Sequence, residues 1–201
     1  MKERRKIVQF DLEGVINDAR NALIQKSHDV AHGVEHHKNV ADNVDYIVTS
    51  EGIGQEINHD ALKVAAWWHD YDRHSGDYSV METSLKEHGA TPKFIEEVIE
   101  IIDGHSKVFG KKTVEQEILF LADKIEYVDL DRYKMSITGM KPEMLSASLV
   151  CWNLKIRPVI HKIDRTKYQS AKIRFCDKFH ELVDYIGEHR PEDLHWFKGL
   201  I

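Results

Sequence analysis

Three short stretches of this 201-residue chain put nitrogen and oxygen donors where helix packing alone would favour apolar residues. In the first, Ala31-His32-Gly33-Val34-Glu35-His36-His37, two histidines lie four apart, on one face of a helix if that helix has begun by Ala31. In the second, Trp67-Trp68-His69-Asp70-Tyr71-Asp72-Arg73, an imidazole and a carboxylate stand side by side where an apolar helix leaves the core. The third sets Asp123 among Leu119, Leu121, Ala122 and Ile125. A carboxylate in such company is costly to bury unless something positive meets it, and a metal ion is the most economical partner. Thirteen histidines are the unusual feature of the composition, since imidazole is the commonest metal ligand and the usual proton carrier near neutral pH.

The elements that must position these groups read as helices. Apolar residues recur at helical spacing at Val15, Ala19, Ala22 and Leu23, and again at Val40, Val44, Ile47 and Val48. Further helices open at recognisable caps: Asn58, Thr91 with Pro92 at the first helical position, and Thr113 with Gln116 as a capping box. Glycines 52, 89, 104 and 110 mark breaks, and a loop around 137–142 precedes two amphipathic segments near 143–164 and 167–188. No alternating strand pattern and no repeat emerges. The expectation is an all-α, single-domain bundle of seven or eight helices, with a motif-bearing core over about 28–133 and C-terminal helices over about 143–189 packed on it.

In order and context, these residues resemble the HD superfamily of metal-dependent phosphohydrolases. The resemblance is carried by His36 with Val40 four residues on, the His69-Asp70 doublet after small and apolar residues, Asp123 in Leu-Ala-Asp-Lys, and His105 on the intervening helix. It spans 31–128, about half of the chain. The resemblance implies one divalent ion, of Mn, Fe, Co, Ni, Zn or Mg, held by His36, His69, Asp70 and Asp123. Many members read His-Asp-x-Gly-Lys; here the sequence is His-Asp-Tyr-Asp-Arg, so Arg73 stands at the lysine position and the glycine is missing. The Glu-Asp pair of the alarmone hydrolases is absent, as is the histidine pattern of the cyclic-dinucleotide phosphodiesterases.

The activity so implied is hydrolysis of a phosphate ester, on a nucleotide or another small phosphorylated metabolite, by a metal-activated water. Asp70, His105 and Arg73 are the catalytic candidates, with His105 a general acid or phosphate contact. Arg73, Lys124 and His32 are the substrate-binding candidates; Arg73 has the better geometry because its planar fork meets two oxygens at once. Among the remaining histidines, His37, His74 and His88 read as solvated. Trp67 and Trp68 read as core on one side and pocket wall on the other. The basic group Lys155, Arg157, His161, Lys162 and Arg165 reads as a charged helix face that could border an anion-binding cleft.

Three other readings compete. His32-Gly-Val-Glu35-His36 matches the H-x-x-E-H motif of inverted zinc metallopeptidases, but Gly33 weakens the helix that motif requires, and His69, Asp70 and Asp123 are left unexplained. The string IVQFDLEGVIND resembles the nucleophile strand of haloacid-dehalogenase-type phosphatases, without the alternating strands and helices that fold demands. The third is a non-catalytic domain that binds a metal or nucleotide through the same pocket.

Bulk properties bound the partners. A formal net charge of -6 argues against extended nucleic-acid binding. No apolar run has bilayer length, and the N-terminal stretch lacks the apolar region of a signal peptide, so the sequence reads as cytoplasmic. Cys151 and Cys176 are expected to be reduced core residues.

Overall fold

The computed structural model of the protein describes residues 10–26, 32–72, 75–106, 110, 112–138, 140–197 and 200, with the side chains of 142, 143, 146, 147, 150, 153 and 196 excepted. Nine α-helices and one 3-10 helix, and no strand, lie among these residues. In chain order they are α1 (Leu12–Gln25), α2 (Val34–Glu51), α3 (His59–Trp68), α4 (Ser79–Glu87), α5 (Pro92–His105), α6 (Val114–Tyr127), α7 (Leu130–Ile137), α8 (Pro142–Arg165), α9 (Gln169–His189) and the closing 3-10 helix Pro191–Phe197.

The expected all-helical fold is observed, with α4 and α7 as additions to the expected set. Both are short and weakly patterned: α4 buries Met81, Ser84 and Leu85, and α7 buries Tyr133 alone. The caps behave as expected. Asn58 accepts from the Ala61 amide at 3.2 Å and Thr91 from Phe94 at 3.2 Å. Thr113 and Gln116 exchange the two bonds of a capping box. Gly52 ends α2 in the left-handed region at φ 68°, where a residue without a Cβ is strain-free.

Gly104 is a correction. It does not break the chain but lies inside α5, and a Cβ there would come within 2.1 Å of the Gln116 side chain. That side chain is fixed by the capping box and by a 2.8 Å bond from its amide to the Glu100 carbonyl, so the glycine is required for close approach of α5 and α6. The cysteines are also corrected: both are free, as expected, but exposed on the outer faces of α8 and α9. Leu149 and Ile156 of α8, and Phe175 and Phe179 of α9, fill the inward positions instead.

The four helices that carry the candidate ligands are neighbours: α2 packs on α3 and α6, and α5 packs on both α3 and α6. Their shared apolar layer includes Val40, Val44, Leu62, Val98, Leu119 and Ile125, all fully buried. Asn43, 1% exposed, cross-links this layer. Its amide donates to the Ala122 carbonyl at 3.2 Å, and its carbonyl accepts from Arg174 Nε at 2.8 Å, joining α2 to α6 and α9 one residue before Asp123. Asn43→Ala is expected to cost about 2 kcal/mol, the range for leaving buried polar partners unsatisfied, read as a lower urea midpoint with an unchanged m-value.

Candidate metal centre

Five donors reach the centre from four helices. His36 lies in the first turns of α2, His69 caps the C-terminus of α3 with Asp70 directly after it, His105 ends α5, and Asp123 lies in the third turn of α6. All five are buried, Asp70 the most exposed at 8%. His36 Nε2 stands 3.2 Å from His69 Nε2, 3.7 Å from Asp70 Oδ2 and 3.8 Å from Asp123 Oδ1. His69 Nε2 is 3.6 Å from the same Asp70 oxygen. Two overlapping groups, His36 with His69 and Asp123, and His69 with Asp70 and His105, are close enough to share an ion.

Backbone carbonyls fix the tautomers. His69 Nδ1 donates to Ala66 at 2.9 Å and His105 Nδ1 donates to Ile102, which leaves each Nε2 as a lone-pair acceptor. The centre therefore gathers imidazole lone pairs and two carboxylates, with Lys124, 2.6 Å from Asp123 Oδ2, as the cation beside them. Acceptors do not attract acceptors, so the cluster calls for a positive centre. Ligands at the usual 2.0–2.1 Å from a metal lie about 3.0–3.4 Å apart, close to the spacing seen, so the donor set fits a divalent ion.

The charges respond to burial first. Burial lowers the pKa of His69 to about 4, with the neighbouring His36 and His105 acting the same way against the attraction of Asp70. Burial likewise holds His37 well below the ordinary range and lowers His105. His36 goes the other way: burial works against its charge, but Asp70 and Glu126 outweigh it and raise the pKa. Burial alone would raise Asp123, yet Lys124, His69 and His36 hold it well below the carboxylate range. In the metal-free state a proton on His36 can thus supply the missing charge, and metal binding must displace it.

Several sequence expectations meet their outcome here. His36, His69, Asp70, Asp123 and His105 converge. Arg73 and His74 lie outside the described residues. His32 precedes α2, which begins only at Val34 after the Gly33 cap, so the condition that placed His32 and His36 on one helical face is not met. Its ring still lies edge-on to His36 at 5.8 Å and borders the adjoining cavity. Glu35, 61% exposed at its side chain, pairs with Lys38 at 3.7 Å, away from the ligands, unlike the base of an H-x-x-E-H site. Asp11 caps α1 through the Gly14 amide at 3.0 Å, a structural role for the residue aligned with the phosphatase nucleophile.

His37 is not solvated but fully buried, its Nδ1 donating to Gly33 at 3.0 Å and its ring 4.9 Å from that of His69. His88 is half-buried and bridges Asp11 at 3.3 Å and Asp18 at 3.0 Å, tying α4 to α1. Trp67 and Trp68 are both core; Trp68 borders a groove between α1 and α4 rather than the metal-side cavity. Of the basic group on α8, Lys155 does border that cavity, while Lys162 pairs with Glu117 at 3.9 Å.

Sequence reasoning missed three residues. Glu126, 2% exposed, places Oε1 3.7 Å from His36 Nδ1, a negative charge behind that ring that helps raise its pKa. Its i+3 spacing from Asp123, which puts both carboxylates on one side of α6, is the available cue. Lys26 reaches from α1 to the Tyr71 carbonyl and to Asp72 at 2.5 Å, clamping the turn after His69-Asp70. Arg132 is the third. The cavity it borders, about 640 Å³, opens directly from Asp70, His105 and Asp123 and runs between α6, α7 and α8.

Fold and cluster together define one helical domain with a buried His/Asp centre able to hold a metal ion. No protein-family model matches the chain. No curated protein matches it either. Among solved structures it is similar to a Lactobacillus plantarum protein determined as a structural genomics target, with a TM-score of 0.66 and 16% identity, covering 90% of this chain and 95% of that one. The likeness is one of fold.

The metal-free protein is expected to lose stability on acidification. His37, His69 and His105 titrate lower in the folded chain than in the unfolded one, so below about pH 6.5 the unfolded chain takes up protons that the folded chain refuses. For His69 this loss runs from about 6.5 down to about 4. Each such group adds a slope of about 1 kcal/mol per pH unit below about pH 6.5, whereas the raised His36 acts above that value, where it favours the folded chain as pH falls, and adds no slope below it. Urea midpoints of chelator-treated protein should fall between about pH 6.5 and pH 5; a flat profile there would contradict the burial of neutral imidazoles.

Proposed function

We propose that the protein is a metal-dependent phosphohydrolase of the HD type, acting on the phosphate ester of a nucleotide or another small phosphorylated metabolite. The observation that carries the reading is that His36, His69, Asp70 and Asp123, the set the sequence resemblance implies, converge from three helices and the α3 turn beside a cavity with cationic residues on its wall.

His36, His69, Asp70 and Asp123 would hold one divalent ion, and their mixed nitrogen and oxygen chemistry accepts Mn, Fe, Co, Ni, Zn or Mg. When bound, such an ion supplies Lewis acidity toward a phosphoryl oxygen and toward the attacking water. The chain's own residues do the rest. The Ala66 carbonyl fixes the plane of the His69 ring, and the Glu126 carboxylate, 3.7 Å behind His36 Nδ1, favours charge on that ring. Asp70, within 3.7 Å of both imidazoles and open to the cavity, can orient a water by accepting its proton in a hydrogen bond. His105 is neutral near pH 7 because burial lowers its pKa, and Nδ1 is already committed to Ile102. Its Nε2 is thereby suited to take a proton from the nucleophile, a base rather than the acid the sequence suggested. Lys124, paired with Asp123 and bordering the cavity, can turn toward a phosphoryl oxygen.

Purified protein should contain about one divalent ion per chain and hydrolyse a phosphomonoester, nucleotide or phosphodiester with added Mn or Co. Asp70→Ala and Asp123→Ala should each lower metal affinity and turnover by at least about 100-fold, more than loss of an outer-shell partner costs. Glu35→Gln should change neither. Full metal content in both aspartate variants would sink the metal site. A loaded site with no turnover on any ester class would leave a binding module instead.

A further inference from the structure

Arg132, at the start of α7, borders the cavity next to the His/Asp centre and is partly buried. Its Nη1 is shielded from solvent and has no hydrogen-bond partner, and among the described residues Arg132 side-chain nitrogens make no ion pair. A guanidinium cannot escape this by losing its proton, so an unmet buried one is expensive. The other half-buried arginines are satisfied: Arg190 by Asp193 at 2.5 Å and Arg174 by Asn43 at 2.8 Å. The carboxylates nearest in sequence are committed elsewhere, Asp129 to Lys178 and to the cap of α7, and Asp131 to Lys134 at 3.9 Å. Glu126 turns Oε1 toward His36 at 3.7 Å, and among the described residues its buried Oε2 makes no hydrogen bond to Arg132 or to any other group.

We propose that Arg132 completes a phosphate subsite in this cavity, with Lys124 and the rim residue Lys155. This rests on the phosphohydrolase reading and names the residue that would grip the ester's phosphate. Arg132 and Lys124 both lie over Tyr127, each 5.9 Å from the ring centroid, while Trp152 stacks on that ring at 5.7 Å and 9°. The aromatic pair thus holds two cations on the cavity wall, and α8 adds Lys155 to the same lining. Tyr133, which also lines the cavity, has a buried hydroxyl without a hydrogen-bond partner among the described residues. A phosphate dianion answers all of these donors, and a guanidinium suits it best because it offers two parallel N–H groups.

The test titrates inorganic phosphate into metal-loaded wild type, Arg132→Gln, Arg132→Lys and Lys162→Gln by calorimetry, with melting temperatures recorded with and without phosphate. Wild type and Lys162→Gln should bind phosphate and melt higher in its presence. Arg132→Gln should bind at least about ten-fold more weakly, the range for a lost charge-assisted bond, and Arg132→Lys should fall between. Without phosphate, Arg132→Gln should melt no lower than wild type, because an unpaired buried charge has been removed. Wild-type phosphate affinity in Arg132→Gln, or a lower phosphate-free melting temperature marking a structural pair with Glu126, overturns the proposal. If wild type hydrolyses esters yet Arg132→Gln binds phosphate unchanged, only this inference fails. If loaded wild type neither binds phosphate nor turns over any ester, the phosphohydrolase reading fails with it.

Discussion

A buried cluster made of acceptors has to be held together by something outside itself. Two carboxylates and the Nε2 lone pairs of His69 and His105 face one another in the interior of this bundle, with one ring nitrogen of His36 only 3.2 Å from that of His69. At such separations and in low dielectric, repulsion among lone pairs and charges would drive the helices apart unless a proton or a cation stood between them. The raised pKa of His36 and the lowered pKa of His69 are two sides of this: one imidazole is pressed to carry the charge, and the other is kept neutral. A metal ion resolves the conflict for every donor at once.

The rest of the bundle can be understood as the frame that makes this unfavourable gathering possible. The apolar layer of α2, α3, α5 and α6 supplies the driving force, since each fully buried Val, Leu or Ile side chain contributes about 1.5–3 kcal/mol. Polar cross-links then set the register. Asn43 ties α2 to the carbonyl next to Asp123, and Gln116 with Gly104 fixes how closely α6 approaches the end of α5, where His105 lies. Lys26 pins the turn that carries Asp70. Each bond acts within a few residues of a ligand, so small helix shifts that would disperse the donors also break one of these cross-links.

Much of this was legible in the sequence because helices advertise themselves locally. Caps at Asn58, Thr91 and Thr113 and the 3.6-residue period of the longer segments depend on residues a few positions apart, and they were read correctly. The convergence of His36, His69, Asp70 and Asp123 was anticipated from ordered motifs, each odd in its apolar surroundings. What escaped depends on distant chain. Nothing near His37 reveals that its ring packs against His69 from another helix, and the spacing of Cys151 and Cys176 is compatible with either face. Gly104 looked like a break because its reason, the Gln116 side chain, lies on the next helix. Arg132 was missed for the same cause: its lack of a partner is a property of the fold, invisible in a segment rich in aspartates.

The cavity wall divides its work by chemistry. Its floor belongs to Asp70, His105 and Asp123, whose charges suit an ion and a polarised water. Ile137, Leu145, Leu149 and Val159 also line it and offer contact area but little orientation. Tyr127 shares the lining, with Trp152 on one face and two cations within 5.9 Å. With Trp152 stacked on Tyr127 and itself packed against Phe179 and Phe197, this column acts as a buttress more than as a platform for a stacked ring. On the phosphohydrolase reading, positioned charge would hold the anionic end of a ligand, and the fit of α7 and α8 would discriminate among the groups attached to it. These two helices share the cavity with the metal-side residues but contribute none of the candidate ligands, so selectivity can change there without disturbing the centre.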